Sequence, residues 1–112
     1  MRLSDWHAWL REGGCVITGY RGEEVQLHHC HGGSISDLGF VRGRGQKTSN
    51  WLVLPLFHSY HVGTGHAFHQ MGVRSWEDRY GTQANFLRDL GTRAGINPFD
   101  LAAEEEKARG LL

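Results

Sequence analysis

The chain has 112 residues, with twelve Lys and Arg balancing twelve Asp and Glu. That length fits one domain, and the balance excludes a chain bound to nucleic acid by overall charge. No stretch is long and apolar enough for a membrane span, and two cysteines outside any CxxC pair, Cys15 and Cys30, argue against a disulfide scaffold.

Four Trp, five Phe and three Tyr supply area for a modest core. Sixteen Gly raise the ordering cost and imply long loops. A bound metal or a partner subunit would offset part of that cost.

In chain order, Ser4 is an N-cap candidate for a first helix whose Trp6, Trp9 and Leu10 share one face. This N-terminal segment reads as a helix, not a signal peptide, so a cytoplasmic location is the expectation. Gly13 and Gly14 end the helix, and "CVITG" (Cys15 to Gly19) is a short strand or a turn. Val25 to His28 alternates apolar and polar and predicts a strand with His28 and His29 at its end. His31 to Asn50 is glycine-rich and aperiodic, which predicts a long, functional loop. Trp51 to Pro55 is the second strand. Leu56, Phe57 and Tyr60 suit the inner face of a short helix that carries His58 and His61. Ser75 with Asp78 resembles a capping box before a one-turn helix with Trp76 and Tyr80. Thr82 caps a helix with Phe86, Leu87 and Leu90 on one face, ending near Gly91 or Gly95. Asn97-Pro98 caps a last helix with a weak apolar face. The expected class is α+β: a ββα unit with a long Gly-rich loop between its strands and further short helices at both ends.

Seven of the eight histidines fall in two clusters, His28, His29 and His31, then His58, His61, His66 and His69. Successive strand residues face opposite sides. His28 and His29 therefore suit different roles, one holding a metal and the other moving a proton. A neutral imidazole is matched to taking a proton from water near pH 7. A divalent cation opposite that base would stabilise a phosphate in hydrolysis. Its other ligands would be His61 and either His66 or His69. Mg, Mn, Ni and Zn all remain open on chemistry alone. Asn50, just before the second strand, suits bonding the loop backbone or holding the base histidine in one tautomer.

The runs "CVITG", "LHHCHGG", "QKTSNWLVLPLFHSYH" and "FHQMGVRSWEDRYGTQ" together resemble the phage and prophage HNH endonucleases related to the recombination-enhancement (Ref) nuclease. These belong to the His-Me finger, or ββα-metal, group. The likeness covers about residues 15–90, with residues 97–110 as a helical tail to a single nuclease domain spanning 1–112. It implies a metal-dependent endonuclease acting on DNA in a bacterial host. His29 would be the general base, His28 a metal ligand beside it, Asn50 the middle motif residue and His61 the ligand on the finger helix. His69-Gln70-Met71-Gly72 matches a further family histidine better than His66 does. One catalytic ion is implied, Mg or Mn, with Zn or Ni as possible occupants. Many relatives also carry a structural zinc knuckle. Here its positions hold Cys15, Thr18, Phe57 and Tyr60, and one thiolate does not make a four-ligand site. No structural zinc is expected, and Phe57 and Tyr60 should pack around Cys15 and Ile17 instead.

Arg42, Arg44 and Lys47 place positive charge beside Asn50 and are the expected phosphate contacts. Net neutrality implies weak DNA affinity alone, which a homodimer or delivery by a recombination protein would supplement. The competing expectation is a non-catalytic, metal-stabilised binding module of the same fold.

Overall fold

In the computed structural model, residues 1–42, 46–62 and 67–110 are described. They form helix α1 (Leu3–Gly13), strand β1 (Val25–His29), α2 (Gly33–Asp37), strand β2 (Val53–Phe57), α3 (His58–His61), α4 (Phe68–Met71), α5 (Val73–Tyr80), α6 (Gln83–Ala94) and α7 (Pro98–Ala108). The class is α+β, with helices flanking a two-stranded antiparallel sheet. No helix of the described residues is long and apolar enough to cross a membrane.

β1 pairs with β2 in a register that sets His28 against Leu54 and His29 against Val53. β2 is buried from Val53 through Leu56, as its continuous apolar run suggests. Pro55 fits because its carbonyl points away from β1, accepting from Val16 N–H at 3.0 Å. Its missing N–H therefore falls on the outer side of the ladder, where no strand partner needs it.

One core cluster joins Trp6, Leu10, Cys30, Ile35, Val53, Leu87 and Ala102, so α1, α2, α6 and α7 all close on the sheet. A second cluster joins Cys15, Leu56, Phe68 and Trp76, with Ile17 and Phe57 packed against it. Tyr60 lies edge-on to Tyr80, ring centres 5.8 Å apart. The Cys15 corner is therefore an apolar and aromatic packing site.

Several boundaries differ from the sequence expectation. α1 begins at Leu3 with Arg2 as N-cap, not at Ser4. Asp5 reaches back to accept the Arg2 backbone N–H at 3.2 Å, the reciprocal half of a capping box. "CVITG" is a turn, closed by Cys15 N–H to Tyr20 O at 2.9 Å and Gly19 N–H to Cys15 O at 2.8 Å. β2 starts two residues after Trp51, because Leu52 N–H bonds back to Ser49 O at 3.1 Å. Leu56 and Phe57 therefore end β2 and do not line a helix. The long loop contains α2, entered through Gly32 and Gly33 at φ of 67° and 46°. α5 runs for eight residues from Val73 behind Gly72 (φ 88°), so Ser75 and Asp78 lie inside the helix and Ser75 is not its N-cap. The later caps hold: Thr82 Oγ1 accepts from Asn85 N–H, and Asn97 Oδ1 accepts from Phe99 and Asp100 N–H.

Candidate metal centre

β1 delivers His28 to the sheet end, β2 runs directly into α3 with His61, and α4 supplies His69. The three rings converge. His28 and His61 centres are 5.1 Å apart, His28 and His69 5.8 Å, and His61 and His69 4.8 Å. One ring nitrogen from each lies within 4.8 Å of the other two, as a shared cation requires. His28 is buried, His61 half-buried and His69 exposed. The site thus has a closed floor and an open mouth.

The hydrogen bonds fix which nitrogens are free. Gln83, fully buried, donates from Nε2 to His31 O at 2.9 Å and accepts at Oε1 from His31 N–H at 3.1 Å. The same Oε1 lies 3.1 Å from His28 Nε2. An acceptor there requires His28 to donate from Nε2, which leaves the Nδ1 lone pair for a metal. His61 Nδ1 donates to Gln26 Oε1 at 2.8 Å, which leaves Nε2. His61 Nε2 and His69 Nε2 are 3.1 Å apart. Two nitrogens bound tetrahedrally to zinc lie roughly 3.3 Å apart. A metal-binding histidine usually donates its other ring N–H to an oxygen acceptor, and the side-chain amide oxygens of Gln83 and Gln26 fill that place here. The donor set therefore fits a divalent cation.

Gln83 is itself held by Glu77, nearly buried, whose carboxylate accepts from Gln83 N–H at 2.8 Å, Ser34 N–H at 2.9 Å and Ser34 Oγ at 2.5 Å. A Cβ on Gly33 would collide with the Glu77 carboxylate, and Gly33 also needs its positive φ. The glycines after the first His cluster thus permit the close approach that anchors the floor.

On the other side of β1, His29 Nε2 lies 2.9 Å from Asn50 Oδ1. Asn50 is pinned at three points. Its Nδ2 donates to Glu105 Oε1 at 3.2 Å, its backbone N–H donates to Glu105 Oε2 at 3.1 Å, and its carbonyl accepts from His7 Nε2 at 2.8 Å. Ser49 Oγ also donates to Glu105. With Nδ2 turned to a carboxylate, Oδ1 must face His29, so His29 donates from Nε2 and keeps its Nδ1 lone pair.

A cavity of about 240 Å³ joins the two halves, lined by His28, His29, His31, Arg42, Lys47, His61 and His69. Of the residues expected from sequence, His28, His29, His61, His69, Arg42 and Lys47 meet here, and Asn50 stands behind His29. His66 and Arg44 lie outside the described residues. Sequence reasoning missed His31, Gln26, Gln83, Glu77 and Glu105. His31 alone carried a signal, its place in the first histidine cluster.

Burial keeps three of these imidazoles, His28, His61 and His31, neutral. It pushes His28 well below the ordinary histidine value, against the raising effect of the Gln83 hydrogen bond, and nearby His61, His31 and His69 push the same way. Burial first, then the neighbouring His69, brings His61 to about 4. His31 is lowered by burial and then by Arg42. Neutral rings are the metal-ligating form. In the metal-free protein the folded state takes up protons at lower pH than the unfolded chain, whose histidines titrate near ~6.5. The contribution of these groups is therefore whole above about pH 6.5 and lost as pH falls toward 4. Urea unfolding with a chelator should show falling midpoints across that window. A midpoint constant from pH 7 to 4.5 would contradict it.

No protein-family model, curated protein or solved structure matches the chain. By its own geometry it is a small α+β domain whose two-stranded antiparallel sheet and clustered His28, His61 and His69 are consistent with a His-Me-finger-like metal-binding motif.

Proposed function

We propose that the protein is a single-domain, metal-dependent endonuclease of the HNH type that hydrolyses DNA phosphodiester bonds. One observation carries this reading. His29, with Nε2–H committed to Asn50, opens its side of the sheet onto the same cavity as the histidine trio, with Arg42 and Lys47 on the wall. A purely structural metal site needs neither a free base nor cations beside it.

His28, His61 and His69 would hold the cation, which when bound supplies positive charge to the phosphate and to the departing oxygen. His29 Nδ1 takes the proton from the attacking water. Asn50 Oδ1 keeps the ring in that tautomer by holding Nε2–H. Arg42 and Lys47 bind phosphate oxygens without reading bases, so cutting should be salt-sensitive and weakly selective. Three neutral imidazoles hold Zn or Ni more tightly than Mg. Mg and Mn would therefore act at higher concentration than Zn or Ni occupies the site.

The test is cleavage of supercoiled plasmid and single-stranded circles by metal-stripped protein after readdition of Mg, Mn, Ni or Zn. The expected result is nicking with at least one ion and none under chelator. Absence of cleavage with all four ions on both substrates would overturn the proposal.

A further inference from the structure

Glu105 sits on α7, 55 residues beyond Asn50, in an acidic run that has the composition of a solvated helix face. Its carboxylate does not point into solvent. It accepts from Asn50 Nδ2, Asn50 N–H and Ser49 Oγ together, and its side chain is only 19% exposed. We propose that Glu105 is a positioning residue that sets the tautomer of His29 through Asn50, making α7 part of the reactive site. This rests on the reading of His29 as the base.

The chemistry follows from donor and acceptor counts. An amide has one accepting end and one donating end. A carboxylate only accepts, so facing Glu105 forces Asn50 to turn its NH₂ toward α7 and its oxygen toward His29. That oxygen accepts only if His29 carries its proton on Nε2, and the lone pair then stays on Nδ1. Were Asn50 to rotate by half a turn, its NH₂ would face His29, the proton would move to Nδ1, and Nε2 would be consumed as an acceptor. No ring nitrogen would then be left to receive a proton from water. His7 holds the Asn50 carbonyl and fixes the backbone, but leaves the amide orientation to Glu105. Arg109 Nη1 lies 3.5 Å from Glu105 Oε1, the oxygen that also accepts from Asn50 Nδ2.

Glu105→Gln is the isosteric test. One end of the new amide donates. Its oxygen keeps the two donors, Asn50 N–H and Ser49 Oγ, so its NH₂ faces the Asn50 side chain and Asn50 rotates. Asn50→Asp alone sets two carboxylates against each other. The double variant Asn50→Asp with Glu105→Gln restores every bond. The Gln NH₂ donates to the Asp carboxylate, the Gln oxygen accepts from the residue-50 N–H and Ser49, and the other Asp oxygen still accepts from His29 Nε2–H.

The readouts are ¹⁵N imidazole shifts of His29 at about pH 8, where a free imidazole is neutral, and single-turnover cleavage. Wild type should show the Nε2–H form. Glu105→Gln should show a population of the Nδ1–H form and cleavage lowered about 10- to 100-fold. The double variant should regain both the Nε2–H form and most of the cleavage, which a loss of helix packing would not reverse. If the tautomers behave so while no variant cleaves DNA, the nuclease reading fails and the positioning role stands. Unchanged tautomer in Glu105→Gln overturns the proposal. So does a double variant that fails to regain the Nε2–H form, whether folded or not.

Discussion

Replacing His29 with alanine is expected to lower single-turnover DNA cleavage by about 10²- to 10⁴-fold, the usual contribution of a positioned general base. Metal content and fold should survive. His29 stands outside the trio of nitrogens that lie within 4.8 Å of one another. It is also only half-buried, so its loss opens space at a wet cavity rather than a core void. Its removal frees Asn50 Oδ1, but that oxygen can meet water in the same cavity. Metal content per chain and far-UV circular dichroism, measured on the same sample, separate lost chemistry from lost structure. Wild-type rates in the variant would remove His29 from the reaction and favour a non-catalytic, metal-stabilised binding module.

Glu77→Ala should have the largest effect on stability. The Glu77 carboxylate takes hydrogen bonds from Ser34 N–H, Ser34 Oγ and Gln83 N–H, all at or near the buried floor of the site. Each buried donor left without an acceptor costs about 1–3 kcal/mol. Water entering the void recovers part of that, so a loss of about 3 kcal/mol in urea unfolding is expected. The effect should also reach the metal. Gln83 loses its anchor and no longer fixes the His28 proton on Nε2, and removal of such outer support weakens metal binding about 10- to 100-fold. Competition titration with a chromophoric chelator measures this. A stability change under 1 kcal/mol with unaltered metal affinity would mean that Glu77 does not support the floor.

The readable part of this molecule is its local part. The alternation of Val25 to His28 marks β1, and the side-chain chemistry of Thr82 and of Asn97-Pro98 marks two helix starts within a residue. His28 and His61 could be paired because the imidazole clusters are dense on either side of an obvious strand. The start of β2 was less legible. Trp51 to Leu54 is apolar at every position, and a continuous run carries no period from which to set its first residue. Pro55 looked like the end of the strand, because nothing local tells that its N–H side faces outward. α2 was hidden by Gly32 and Gly33, whose composition signals a loop while their positive φ values deliver the chain into a helix.

The support around the site was not legible at all. Gln83 lies 55 residues from His28 and Glu105 lies 55 from Asn50. Each belongs to a helix whose own pattern explains it adequately. Glu77 sits between Ser75 and Asp78, which together imitate a capping box. Glu105 sits in "EEEK", which imitates a solvent face. Only the packing of α5, α6 and α7 against the loop brings these ordinary polar residues to the site, Gln83 onto His28, Glu77 behind Gln83 and Glu105 behind Asn50. A polar residue that acts through a tertiary hydrogen bond leaves no periodic trace in the chain.

X-ray absorption and anomalous scattering on zinc- or nickel-loaded protein test the central claim most directly. One ion per chain is expected, with nitrogen ligands at about 2.0–2.1 Å from His28 Nδ1, His61 Nε2 and His69 Nε2, and with His29 not coordinated. An ion bound through His29, or held elsewhere with the trio left free, would contradict the account.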